Sequence, residues 1–167
     1  ATKAIRAASH YLTIKPKPSK THVLPLYGGN IGEIKKFQNH CFQRYTPDFS
    51  QSIVTRLMDN YGSHIHHILA YANSSAKLAH PVPGAKNVLP AELAFVLDNE
   101  MVRTLSDLIF RRTDIGTFAM PAEKTIEFCA DFMADHLGWD VRTRSYNIKT
   151  LYSRFPRWIQ GVKTRQR

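Results

Sequence analysis

Two carboxylates and three guanidiniums within thirteen residues are the first candidates for chemistry in this chain. Glu100 stands near Arg103 and Thr104, while Asp107 and Arg111 form an i, i+4 pair in the orientation that favours attraction on a helix. The Arg111-Arg112 doublet then closes the segment, where cations complement the helix dipole. Carboxylates beside guanidiniums can transfer protons, hold an anion, or cross-brace helices. If Glu100 and one arginine are buried together, the pair fixes how two helices cross, a matter of specificity more than stability. A catalytic reading requires a cleft and a cofactor, and nothing else in the chain supplies either.

Three other groupings carry less. Gly28-Gly29-Asn30-Ile31-Gly32 precedes a helix and could face an anion with backbone N–H groups. Its spacing matches neither dinucleotide nor P-loop patterns and no lysine is placed to grip phosphate, so it reads as a tight turn. His64, His66 and His67 cluster, with His80 downstream, but Glu-x-x-His and His-Glu-x-x-His are absent, leaving polar-face imidazoles at the start of a helix. Cys41 and Cys129 lie far apart on apolar stripes, as small hydrophobes and not as a zinc or redox pair.

The elements that position these residues are helical throughout. Residues 3–12 predict a short helix, broken by Lys15-Pro16-Lys17-Pro18-Ser19-Lys20. Asn30 with Glu33 predicts a capping box for a helix carrying Ile34, Phe37, Cys41 and Tyr45. Asp48 with Gln51 predicts the next start, with Ile53, Leu57 and Tyr61 inward and Gly62 as the stop. Ile65, Ile68, Leu69 and Ala72 continue the pattern to a His80–Gly84 loop. Pro90 opens a helix running to Met101, Thr104 and Asp107 cap a short helix ending at Arg112, Pro121 opens an amphipathic one ended by Gly138, and Asp140 caps the last. No period-2 run demands a sheet. The expected fold is all-α, a compact array of about six or seven short helices.

Composition sets bounds. The chain has 167 residues, 43% hydrophobic and 22% charged, which is enough for one core without disulfides or metal. No apolar run reaches the length of a membrane span. The net charge of +10 lies at the ends: residues 1–20 carry +5 and 141–167 carry +8, both without an acid, against −3 between them. Arg144, Lys149, Arg154, Arg157 and Trp158 interleave cations with aromatics, the mix of an interfacial segment on an anionic membrane. Nucleic acid is not expected as a partner, since no recognition helix with base-reading polar residues is evident.

The stretch Glu92…Asn99-Glu100…Thr104-Leu105-Ser106-Asp107-Leu108-Ile109-Phe110-Arg111-Arg112-Thr113 resembles the signature of the C-terminal helical domain of FAD-dependent glycerol-3-phosphate dehydrogenases and the related glycerophosphate oxidases. Pro25-Leu26-Tyr27-Gly28-Gly29, Leu57…Tyr61-Gly62 and Leu137-Gly138-Trp139 support the resemblance. Asp114 after Thr113 departs from the pattern without disturbing the motif.

That resemblance implies a parent enzyme that oxidises sn-glycerol 3-phosphate to dihydroxyacetone phosphate with FAD, passing electrons to quinone or oxygen. The flavin-binding glycine motif and the substrate residues of such enzymes have no counterpart in this sequence. No catalytic, cofactor-binding or metal residue is therefore assigned. Glu92, Glu100, Thr104, Asp107, Arg111 and Arg112 are expected to be structural. Residues 1–20 would be the remnant of a preceding helix plus a basic Pro-rich linker, 21–156 the helical domain, and 157–167 a basic tail. The expected partners are the flavin and cap domains of the parent chain, together with an anionic membrane surface and a second copy in a homodimer. The expected location is cytoplasmic, peripheral on the cytoplasmic face of the membrane. No Asp-x-Asp-x-Asp-Gly calcium loop is present, which points to a bacterial-type layout.

Overall fold

A computed structural model describes residues 2–13 and 17–156. Its elements are α1 (Thr2–Ala8), α2 (Ile34–Tyr45), α3 (Gln51–Tyr61), α4 (Ile65–Ser74), α5 (Ala76–Ala79), α6 (Pro90–Asn99), α7 (Leu105–Asp107), α8 (Glu123–Leu137) and α9 (Val141–Arg154). Among the described residues there is no strand, only an isolated antiparallel bridge between Val82, in the predicted loop, and Ala85, just beyond it. The all-α expectation holds.

The core forms where the apolar stripes of α3, α4, α6 and α8 meet. Leu57, Ile65, Ile68, Leu69, Leu93, Ile126 and Met133 are fully buried there. Helix α6 is apolar on nearly every face because it is the central element, packed against α4, α5 and α8. Pro90 occupies its first turn, where the missing N–H costs nothing. Cys41 and Cys129 are buried in this core and unpaired; burial pushes the Cys129 thiol up to about 12, which suits packing and not reactivity.

Several boundaries differ from the sequence expectations. Helix α2 starts at Ile34 with Glu33 in the capping position, and the Asn30–Glu33 box does not form. Ile34 stays exposed, so the inward stripe of α2 rests on Cys41 and Tyr45 with Phe37 half-buried. Helix α3 starts at Gln51, after Ser50, and not at Asp48. Helix α6 ends at Asn99, so Glu100 lies beyond the helix and does not reach one turn on to Arg103 or Thr104.

Other signals hold. The Thr104–Asp107 capping box forms: the Asp107 N–H donates to Thr104 Oγ1 at 3.1 Å, and the Thr104 N–H donates to Asp107 Oδ2 at 3.0 Å. Helix α7 then widens into a π-helical turn, Leu108–Arg112. Gly138 ends α8 in the left-handed region, and Asp140 Oδ1 caps α9 by accepting the Thr143 N–H at 2.7 Å. Buried Asn147 of α9 accepts the Leu105 N–H at 3.1 Å, so α9 anchors the start of α7 from across the fold.

The segment before α2 is held at one crossing. Gly28 and Gly62, at φ 75° and 52°, pass so closely that a Cβ on Gly62 would sit 2.1 Å from the Gly28 carbonyl oxygen. That oxygen accepts the Ser63 N–H at 2.8 Å, and the Tyr27 ring stacks on His64 at 3.9 Å between centroids.

Candidate functional site

The densest polar cluster is built around Glu92, which lies on the first turn of α6 with no solvent exposure. A bare carboxylate there would be strongly unfavourable. Arg56 of α3 meets it with both terminal nitrogens, Nη1 to Oε2 at 2.8 Å and Nη2 to Oε1 at 2.7 Å, a bidentate fork. The other side of the same guanidinium grips Asp114, Nε to Oδ2 at 2.9 Å and Nη2 to Oδ1 at 2.8 Å. Tyr61, five residues beyond Arg56 at the end of α3, donates its hydroxyl hydrogen to Glu92 Oε1 at 2.7 Å, with the Arg112 carbonyl a longer neighbour at 3.2 Å. Arg56 Nη1 also reaches the Asn87 carbonyl at 3.1 Å.

The electrostatics follow from this packing. Burial opposes charge on Arg56, but the hydrogen bonds and charges of Glu92 and Asp114 outweigh it and hold the guanidinium protonated. Burial pushes the Glu92 carboxyl above the ordinary range, against the pull of Arg56 and Tyr61. Burial and the adjacent Glu92 raise the Tyr61 phenol in turn. At Asp114 burial acts upward, but the Arg56 hydrogen bonds and charge bring the carboxyl below its usual value. Each strong donor and acceptor is used within the cluster, and no buried side-chain polar atom among the described residues lacks a partner.

Only part of this was expected. The sequence reading gives Glu92 a structural role, and Glu92 is the centre of the cluster. Arg56 was not singled out: it sits on α3, 36 residues from Glu92, and no local spacing flags it. Asp114, read as an inconsequential departure, is the second carboxylate on Arg56. The buried acid–base pair is therefore Arg56–Glu92 and not one made by Glu100. Glu100 instead lies 3.9 Å from Arg112, with Arg112 about half exposed. Asp107 and Arg111 pair as predicted at 3.0 Å on the surface.

A surface groove of about 380 Å³ lies beside the cluster, bounded by Tyr27, Tyr61, Glu100, Phe110, Arg112 and Asp114. It brings Glu100 together with Arg111 and Arg112, but not Asp107. The histidines do not gather into a ligand set: His66 accepts or donates at 2.6 Å to the Tyr45 hydroxyl, His64 stacks with Tyr27, and burial lowers both imidazoles. Among the described residues no three His, Cys, Asp or Glu side chains converge as a metal site would require.

The glycine stretch does not fit a flavin or other phosphate cradle. Gly28 is spent on the contact with Gly62, and the carboxylate-bearing Glu33 stands at the start of α2 where an anion would have to bind. No chemical step through a flavin is assigned to these residues.

The basic stretch of α9 divides. Arg144 is engaged by α8, with Nε on Asp131 Oδ1 at 2.6 Å and Nη2 on Glu127, so it braces α9 against α8 instead of facing outward. Lys149 and Arg154 are exposed; Arg157 and Trp158 lie outside the described residues. Arg142 and Tyr146 are exposed on the same side as Lys149, at spacings of four and three residues. No helix among the described residues is long and apolar enough to cross a membrane.

A comparison with individual curated proteins gave no match. A family model described as the C-terminal domain of alpha-glycerophosphate oxidase matches residues 19–144, spanning α2 to the first turn of α9 and every side chain of the Arg56–Glu92–Asp114 cluster. The chain thus belongs to the family of C-terminal domains of alpha-glycerophosphate oxidase.

Proposed function

We propose that this chain is the accessory domain of an FAD-dependent glycerol-3-phosphate dehydrogenase or oxidase, packing on the flavin and cap domains of its parent without supplying catalytic groups. The parent oxidises sn-glycerol 3-phosphate to dihydroxyacetone phosphate. The observation that carries the non-catalytic part is the closure of the Arg56–Glu92–Tyr61–Asp114 cluster. Its one fully buried carboxylate is held by three donors from a guanidinium and a phenol, leaving no poised acid or base to face a substrate. Family membership over residues 19–144 supports the oxidoreductase parent.

The test is to purify the 167-residue chain alone and the longer polypeptide in which it is encoded. The chain alone is expected to be colourless between 350 and 500 nm (roughly the flavin bands) and inactive with sn-glycerol 3-phosphate and a dye acceptor. The longer polypeptide is expected to be yellow and active. A yellow, active short chain, or a gene without a flavin-bearing segment, defeats the reading.

The exposed Arg142, Tyr146 and Lys149 stripe on α9 supports a second proposed role, attachment to an anionic bilayer with the parent on the cytoplasmic face of the membrane. Co-sedimentation with anionic vesicles at low and high salt tests it, and no binding at low salt ends it.

A further inference from the structure

Helix α2 is thinly anchored. Only Cys41 and Tyr45 of its twelve residues are buried, and its main neighbour is α3. Its link to α4 runs through one imidazole. His66, half-buried, shares a 2.6 Å hydrogen bond with the Tyr45 hydroxyl. The same ring meets Phe37 and His40 edge-on, at 6.2 and 6.0 Å between centroids. Phe37, His40 and Arg44 recur at i, i+3 and i+7, so one face of α2 closes over His66.

The surroundings of that ring are basic. Burial lowers the imidazole below its ordinary value, and Arg44, His40 and His67 push the same way. Neither α2 nor α4 contains an acid. Asp59, the acid of α3, is not among the charges that act on the ring. Asp98 of α6 is taken by Tyr71 at 2.7 Å and by His136 at 2.8 Å. His64, 5.5 Å from His67, stacks on Tyr27 and is lowered by burial and by His67, while Lys77 of α5 is a further base. A proton on His66 thus arrives beside a fixed guanidinium with no carboxylate to receive it. It also reverses the bond to Tyr45: a neutral Nδ1 accepts the phenol hydrogen, whereas a protonated one must donate.

We propose that His66 is a proton-sensitive latch: its neutral ring holds α2 on α4, and its protonation lets α2 lift from α3 and α4, uncovering Cys41. Docking is fully present above the free-imidazole value of about 6.5. It weakens as pH falls below that value, because the undocked ring binds the proton that the docked one resists. The Gly28–Gly62 crossing before α2 and buried Phe49 after it hold the two ends of the moving segment. Every group in the device belongs to this chain, so it stands apart from the accessory-domain reading.

Cys41 is the reporter, and Cys129, fully buried on α8, is the control. A pyridyl disulfide reagent labels both thiols of the 167-residue chain, and each rate is divided by the rate in urea at the same pH, which removes the titration of the thiol itself. Between about pH 7.5 and 5.5 the Cys41 ratio is expected to rise about tenfold, the effect of one imidazole that titrates near 6.5 only when undocked. The Cys129 ratio is expected to stay constant. His66→Gln, which keeps an acceptor for Tyr45 but binds no proton, is expected to level the Cys41 ratio across that range. Arg44→Gln, at an exposed position that leaves the fold intact, is expected to shrink the rise at least about twofold by removing the fixed cation. A constant Cys41 ratio in the wild type overturns the latch. So does a parallel rise at Cys129, which means global unfolding, or a Cys41 rise that survives either substitution undiminished.

Discussion

Arg56 and Glu92 are joined by a bidentate fork between α3 and α6, and the carboxylate end of that fork is completely withdrawn from water. The two partners are not equally dependent on each other. Arg56 has a second carboxylate in Asp114, whereas Glu92 keeps only the Tyr61 hydroxyl if Arg56 is lost.

Arg56→Ala should therefore destabilise more than Glu92→Gln. Stranding a buried carboxylate costs about 3–5 kcal/mol. The glutamine variant leaves Arg56 paired with Asp114 and should lose about 1–3 kcal/mol, the cost of a weakened charged hydrogen bond. Urea unfolding of the two variants measures both, and equal losses would contradict the asymmetry.

Asp114 gives a pH prediction. Its folded-state carboxyl lies below the ordinary value, so its contribution is present above the unfolded value near 4 and is lost as pH falls through the folded one. The Asp114 contribution should thus decline on acidification below about pH 4, while Glu92 and Glu100, whose carboxyls burial raises, act with the opposite sign. Asp114→Asn should be less stable at neutral pH and show a shallower decline, read from thermal melts between about pH 2 and 7. Asp107 adds the same sign: burial acts upward, but hydrogen bonds from Thr104 and the Arg111 charge bring it down.

How much of this was readable beforehand depended on range. Several signals confined to one turn were legible: the Thr104–Asp107 box, Pro90 at a helix start, Gly138 at a helix end and the Asp107–Arg111 pair all stand where spacing put them, whereas the equally local Asn30–Glu33 and Asp48–Gln51 boxes do not form. The Arg56 links were not, because they close across 36 and 58 residues and a guanidinium on a helix face looks like any solvated cation. Glu100 was misplaced because α6 stops one residue before it, which turns an expected same-helix contact into a bridge to Arg112.

The Gly28–Gly62 crossing joins two motifs that sequence could only note separately. Gly62→Ala meets both a positive φ and a carbonyl oxygen at 2.1 Å, so it should cost well over the ~1–2 kcal/mol of the backbone term alone. Gly32→Ala has φ 62° with nothing within 4 Å of the added Cβ, so it should cost only that backbone term. Limited tryptic cleavage after Lys20 should accelerate in the Gly62 variant, through loss of the clasp to Ser63 and His64, and remain unchanged in the Gly32 variant.

Along α9, Arg144 braces the fold while Arg142 and Lys149 face solvent on the side proposed for membrane contact, and charge reversal distinguishes the two. Arg144 is bound by Asp131 and Glu127, so Arg144→Glu sets three carboxylates together and should lower the melting temperature. Arg142 and Lys149 face solvent without an ion pair among the described residues, so reversing both should leave the melt unchanged. Vesicle binding should show the opposite order. Each basic residue near an anionic surface contributes about 1 kcal/mol, and each reversal also adds repulsion. The Arg142→Glu, Lys149→Glu pair should therefore weaken co-sedimentation at least tenfold, on the order of the 1.4 kcal/mol that a decade in affinity represents. Arg144→Gln, which removes the charge without reversing it, should leave binding near the wild-type value because that charge is already neutralised by α8. A loss of binding in Arg144→Gln equal to that of the double reversal would mean that the α8 carboxylates release Arg144 at the membrane, and the division of α9 into a bracing side and a binding side would not stand.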